Sequence, residues 1–182
     1  MQFKYSWKNR GACLALSYGI FYLLRGYISE TLFQLLFNNT VWNLTNNLIT
    51  DTILFFVIIL IPISMVHEGI HAIMYKLFGG KVKYSLRGIY IHAYEGSKLQ
   101  LNRTKYLIIL MVPAMIISAV SLFIPGWIGR LIFILNLFKS TGDLVKAAYL
   151  CKITSTAKIV DRKDGFETSK AQEAVQMTFE NI

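Results

Sequence analysis

The 182-residue sequence predicts an α-helical integral membrane protein with about four transmembrane helices and a short β-hairpin or strand segment between the second and third. Three observations predict this. Hydrophobic residues make up 54% of the chain and charged residues only 16%, where an ordinary soluble domain carries about 25% charged residues. Apolar runs recur at the length a bilayer demands, about 20 residues of helix. Lys and Arg gather in alternate connecting regions, the distribution that sets orientation in a membrane. The length suits a single domain, divided here into a membrane-embedded unit, residues 1–152, and a cytoplasmic C-terminal tail, residues 153–182.

At the N-terminus, Lys4, Lys8 and Arg10 precede "ACLALSYGIFYLL", which imitates a secretory signal. "RGYISE" follows without a small-residue cleavage site, so the segment is expected to stay as a span or anchor. Arg25 and Glu30 interrupt this first span, residues 12–36. It is either tilted, with Arg25 near the outer surface, or short and followed by an interfacial helix. The second span covers 52–76, the third 105–124, and the fourth 127–151 after a turn at Pro125-Gly126. Pro62 and Pro113 fall inside spans, where neighbouring helices can satisfy the backbone groups they release.

Residues 81–101, "KVKYSLRGIYIHAYEGSKLQL", alternate and are rich in Tyr, Ile and Val. They read as short strands, with Glu95-Gly96 as a turn. Beyond Lys152 the chain becomes polar. Ser169 with Gln172 suits the cap of a short amphipathic helix, and a loosely ordered tail is the alternative.

Positive charge orients these spans. The N-terminal tail holds three Lys/Arg, residues 76–105 hold seven, and the stretch from Lys146 holds six, while Arg25 and Arg130 stand in the alternate regions. A multi-pass protein of the cell membrane with both termini in the cytoplasm satisfies this pattern. The net charge of +9 is thereby explained by the lipid bilayer as partner, and no nucleic acid is expected. Cys13 and Cys151 lie far apart in apolar stretches and are expected to be buried, inert thiols.

One motif sits where charge is expensive. Residues 67–71 read "HEGIH" at the end of the second span. In a helix, residues i and i+4 share a face, so His67 and His71 can offer two nitrogens to one metal ion. Glu68 borders that face, placed to take a proton from water at the metal. The bland alternative is a pair of helix-end histidines at the interface beside a capping Glu. Against it, three polar residues on one face of a span mark a functional site by default.

A catalytic zinc site takes three protein ligands, and "AIMYKLFGGKVKYS" after His71 contains neither Glu nor His. Asp143 is the best candidate. Counting about 1.5 Å per helical residue, His67 and His71 lie roughly 22 to 28 Å from the outer start of their span, and Asp143 roughly 24 Å from the start of its own. A carboxylate at that depth needs a cation, and zinc is a good one. Lys139, four residues earlier on the same face, could instead pair with Asp143 directly. Asn136 faces the same side, suited either to a substrate backbone or to helix-to-helix hydrogen bonding. His92 is the lesser candidate for third ligand.

"HEGIH" in a span, a short strand segment, and two further spans with an Asp in the last resemble the core of the site-2 protease class of intramembrane metalloproteases. The chain is also similar to a family of small bacterial membrane proteins described as zincin peptidases, over roughly residues 50–165. In that family the "H-E-x-x-H" helix is followed by "S-x-G-D", here Ser140, Thr141, Gly142 and Asp143. "IVDRKDGF" at 159–166 is similar to the family's aspartate- and glycine-containing tail.

The resemblance implies Zn2+ bound by His67, His71 and Asp143, with Glu68 as catalytic base and residues 1–152 as a metalloprotease-like domain. Asn136 and Lys139 are the candidate substrate-binding residues. The sequence departs from site-2 proteases in lacking a proline near Asn136 and in placing Gly142 before the acid. The expected activity is zinc-dependent endopeptidase cleavage of a membrane protein or peptide, in or at the membrane. An extended substrate segment would add to an edge strand within 81–94, or that hairpin covers the metal site. Two rival readings are a catalytically inactive metal-binding protein that holds a partner, and a metal carrier.

Overall fold

The computed structural model describes residues 2–4, 6–37, 45, 47–87, 90–154, 157–163 and 165–168. Asn47 opens the longest helix. Its side chain accepts from the amides of Ile49 at 3.0 Å and Thr50 at 3.3 Å, satisfying two of the donors that a helix start leaves over. This helix, α3, runs over Leu48–Leu77. It stops at Gly79, whose φ of +83° a residue with a β-carbon rarely adopts, while the Gly80 amide returns to the Tyr75 carbonyl at 2.9 Å.

The other helices are α1 (Trp7–Leu23), α2 (Arg25–Phe37), α4 (Arg103–Phe123) and α5 (Gly126–Cys151). The strands are β1 (Gln2–Lys4), β2 (Val82–Arg87), β3 (Tyr90–Glu95), β4 (Gln100–Asn102), β5 (Lys158–Arg162) and β6 (Gly165–Thr168). The α4–α5 corner is tight at Gly129, where an added β-carbon would collide with the carbonyl oxygens of Ile124 and Ser121.

Among the described residues, two helices are long and apolar enough to cross a membrane, α3 and α4. A third crossing arises if α1 and α2 form one span, and that pair is bent by 75°. The break falls at Leu24-Arg25, where the sequence places the interruption of the first span. The expected fourth span is present as α5 but is not among the helices apolar enough to cross. It carries Arg130, Lys139, Asp143 and Lys146, and all four are turned into contacts with other helices or with one another. Large apolar side chains such as Leu23, Met65, Leu122 and Phe123 point outward from the helices, a surface suited to lipid. Cys13 is half-buried and Cys151 exposed, both free, so the expected burial of Cys151 is not found. Its neighbours Leu150 and Ile153 enter the packed core, and Cys151 lies on the exposed side of this last turn of α5.

β2 and β3 form an antiparallel hairpin, with Tyr84 opposite Ala93 and Val82 opposite Glu95. The pairing runs from Val82–Glu95 to Arg87–Tyr90, so the expected turn at Glu95-Gly96 does not join β2 to β3 but leads from β3 toward β4. A second, four-stranded antiparallel sheet has the order β1-β6-β5-β4. Residues assigned from sequence to the tail thus supply β5 and β6, paired with strands on either side. The helix expected at Ser169 lies outside the described residues. Because β1 precedes α1, β4 leads into α4 and β5 follows α5, this sheet sits at one end of the helices. A core of Tyr75, Leu101, Tyr106, Leu150, Ile159 and Phe166 joins it to them.

Candidate metal centre

His67 and His71 stand one turn apart on α3, their ring centroids 4.9 Å apart, and both are buried. Buried Asp143 reaches them from α5. Its Oδ2 lies 3.2 Å from His67 Nε2 and 3.3 Å from His71 Nε2. One ligand atom from each of the three lies within 4.8 Å of the others. Lys146 Nζ, one turn on, stands 3.4 Å from Asp143 Oδ1 and leaves Oδ2 to the histidines.

The outer nitrogens of both rings are anchored. His71 Nδ1 is 2.9 Å from the Ile109 carbonyl of α4. A carbonyl only accepts, so Nδ1 carries the hydrogen and Nε2 presents a lone pair. That carbonyl is available because Pro113, four residues on, has no N–H to give it. His67 Nδ1 is 3.2 Å from Asn136 Oδ1. Asn136 spends its amide hydrogens on the Ala114 carbonyl and Ser118 Oγ, each at 3.0 Å. Its Oδ1 is left to accept, which fixes the same tautomer on His67.

Two imidazole lone pairs and a carboxylate oxygen therefore converge on one small volume, and three electron-pair donors repel unless a cation lies among them. The donor set fits zinc. Tetrahedral zinc with bonds of about 2.0–2.2 Å spaces its ligand atoms roughly 3.3 Å apart, matching the 3.2 and 3.3 Å separations from Asp143 to the histidines. Imidazoles whose second nitrogen donates to an oxygen are the usual form of such ligands.

Glu68 is also buried and has partners of its own. Its Oε1 pairs with Lys139 Nζ at 2.6 Å, and its Oε2 accepts from the Ala93 amide of β3 at 2.7 Å, with His92 Nδ1 at 3.5 Å. The other residues singled out from sequence each have identified neighbours. Lys139 pairs with Glu68, and Lys146 is the lysine beside Asp143. His92 joins Glu68 and is not in the His67–His71–Asp143 group. Asn136 makes the helix-to-helix bonds and holds His67. It is fully buried, with its amide group donating to α4 and its Oδ1 facing His67.

Sequence reasoning missed Lys146, the Ile109 carbonyl and Asp161. Lys146 was legible as a second lysine one turn from Asp143, and the carbonyl as the group Pro113 releases. Asp161 of β5 is a buried hub. It accepts from Tyr75 Oη at 2.8 Å, Tyr106 Oη at 2.7 Å and the Glu95 amide at 3.0 Å. One carboxylate thus ties α3, α4 and β3 to the sheet, and Tyr75 lies one turn beyond His71 on the same helix face. Glu95 in turn shapes the loop after β3. Burial works against its carboxylate, but the Ser97 hydroxyl and the amides of Ser97, Leu99 and Lys81 prevail and hold its pKa below the usual value.

Residues 57–158 match a protein-family model described as "Putative zincin peptidase", a stretch that contains all three metal-facing residues and Glu68. The chain is also 32% identical over 120 residues to the "Uncharacterized 24.7 kDa protein in gap 5'region" of Pyrococcus woesei, covering 61% of this chain and 53% of that protein. The chain thus spans about half the length of the curated relative it matches. No solved structure matches it.

Proposed function

The chain belongs to the family described as "Putative zincin peptidase", and from that premise we propose that it is a zinc-dependent endopeptidase of the site-2 protease type, cleaving a membrane protein or peptide in or at the bilayer. The convergence of His67 Nε2, His71 Nε2 and Asp143 Oδ2 carries this reading. His67, His71 and Asp143 are the ligands. Zinc bound there supplies a Lewis acid that polarises a carbonyl and acidifies water.

The remaining steps belong to the chain itself. Glu68 accepts the proton of the attacking water and delivers it to the leaving nitrogen. Asn136 and the Ile109 carbonyl keep the imidazoles oriented, and we assign Asn136 to that task in place of substrate binding. A helix cannot be cut while its carbonyls are hydrogen-bonded, so the substrate enters extended. The side of β3 away from β2 presents the amides of Ala93 and Glu95, since alternate residues point the same way. These amides now donate to Glu68 and Asp161. A substrate carbonyl taking the Ala93 amide would release Glu68 and place the peptide beside it.

The proposed setting is a multi-pass membrane protein with α5 as its fourth membrane helix, the polar face of α5 turned into the bundle. The sheet end faces the cytoplasm. Lys76 near the end of α3, Arg103 and Lys105 at the start of α4, and Lys152 after α5 all lie at that end, as the charge rule requires.

The clasp on Glu68 favours a second reading, a metal-binding protein that holds a partner without cutting it. Comparing membrane peptides from cells carrying the wild type or Glu68→Gln separates the two. Fragments that disappear in the variant support the peptidase, and identical peptide sets with a retained phenotype support the binding protein.

A further inference from the structure

Two lysines of α5 divide the buried carboxylates of Asp143 and Glu68 between them. Lys146 takes Asp143 at 3.4 Å, and Lys139 takes Glu68 at 2.6 Å across the helix interface. The two differ in access. The Lys146 side chain is 4% exposed, and that of Lys139 is 18% exposed, beside a Glu68 side chain at 4%. Lys139 therefore occupies the open side of its pair. It also lies one turn before Asp143, on the same stripe of α5.

We propose that Lys139 is a catalytic residue, whose ammonium holds Glu68 at rest and then stabilises the substrate carbonyl oxygen as that oxygen becomes negative. The proposal rests on the hydrolytic reading above. In the attack step an O–H bond of water breaks and its proton goes to Glu68. The water oxygen bonds to the carbonyl carbon, and the carbonyl π pair moves onto the carbonyl oxygen. Glu68 loses its charge as that oxygen gains one. The ammonium follows the negative charge over a short distance, and no unpaired charge is left in a buried site.

When the C–N bond breaks, its electron pair goes to the nitrogen, which takes the proton back from Glu68. The carbonyl re-forms, and Lys139 returns to the restored carboxylate. A lysine suits this task, since its flexible stem carries a compact charge with three donors. The Ala93 amide, fixed in a strand, cannot move in the same way.

The alternative is a lysine that only neutralises Glu68, and a Glu68→Gln background separates the two because the carboxylate is already gone. The test uses the full chain in detergent, loaded with zinc, and measures the affinity of a dipeptide phosphoramidate, which carries a tetrahedral anionic oxygen. Zinc content is determined in parallel. Adding Lys139→Met to Glu68→Gln is expected to weaken the phosphoramidate by about tenfold to a hundredfold at unchanged zinc content, while Lys139→Arg retains most of the affinity. Equal affinity with and without Lys139→Met overturns the proposal. So does a zinc-loaded wild type that does not bind the phosphoramidate. A wild type that takes up no zinc sinks the metallopeptidase reading itself, and this proposal with it.

Discussion

Pro113 gives His71 its anchor: the proline has no N–H for the Ile109 carbonyl, and His71 Nδ1 stands 2.9 Å from that oxygen. A helix-breaking residue inside α4 thus becomes a positioning device for a ligand on α3. Pro113→Ala should restore the backbone hydrogen bond and make the carbonyl a shared acceptor. Zinc affinity, measured by chelator competition, is expected to fall by about tenfold with the helices intact, since loss of an outer-shell partner costs about 10–100-fold. Unchanged affinity would show that the carbonyl does not orient His71.

Asn136 performs the same service for His67 and also clamps α5 to α4. Asn136→Leu removes both hydrogen bonds to α4 and the acceptor facing His67. Zinc affinity should drop by about 10–100-fold. Stability in detergent should change little, because such interhelical bonds are worth only about 0.6 kcal/mol on average. A variant that unfolds outright would contradict the assignment of Asn136 to the site.

Asp161 predicts the opposite pattern. Asp161→Ala strands two buried tyrosine hydroxyls and the Glu95 amide without their acceptor. Each stranded donor costs about 1–3 kcal/mol, so thermal unfolding should move down by several degrees or more. The zinc ligands are untouched, and stoichiometric zinc should remain in whatever fraction stays folded. Loss of zinc without loss of stability would mean that Asp161 acts on the site and not on the frame.

Glu95 supplies a pH dependence outside the membrane helices. Its folded pKa lies below the usual carboxylate value, so the carboxylate favours the folded state. That contribution is fully present above the unfolded value of about 4.3 and is lost as pH falls through the folded pKa. Melting temperatures of wild type and Glu95→Gln should differ by a constant amount at neutral pH and converge below about pH 4. A gap that widens on acidification would reverse the sign and refute the account of this loop.

Patterns confined to one segment were legible in the sequence. The helical spacing of His67 and His71, the apolar lengths of α3 and α4, and the alternation of β2 and β3 each depend on near neighbours. Asp143 was reachable because helix rise converts sequence distance into depth. What escaped were contacts between segments. The direction Glu68 faces depends on where β3 passes, and nothing in "HEGIH" records that the Ala93 amide will be there. Asp161 looked like part of a polar tail because its partners, Tyr75, Tyr106 and Glu95, lie 86, 55 and 66 residues away. Of the four expected spans, α5 is the one whose composition falls short of a membrane helix, because it carries the charged side chains that meet other helices.

Zinc analysis of the purified chain and two variants tests the central claim most directly. Wild type should carry close to one zinc per chain, and His67→Ala and Asp143→Ala should each lose it while remaining folded. Full zinc occupancy in Asp143→Ala would place the third ligand elsewhere and contradict the meeting of α3 and α5 around one ion.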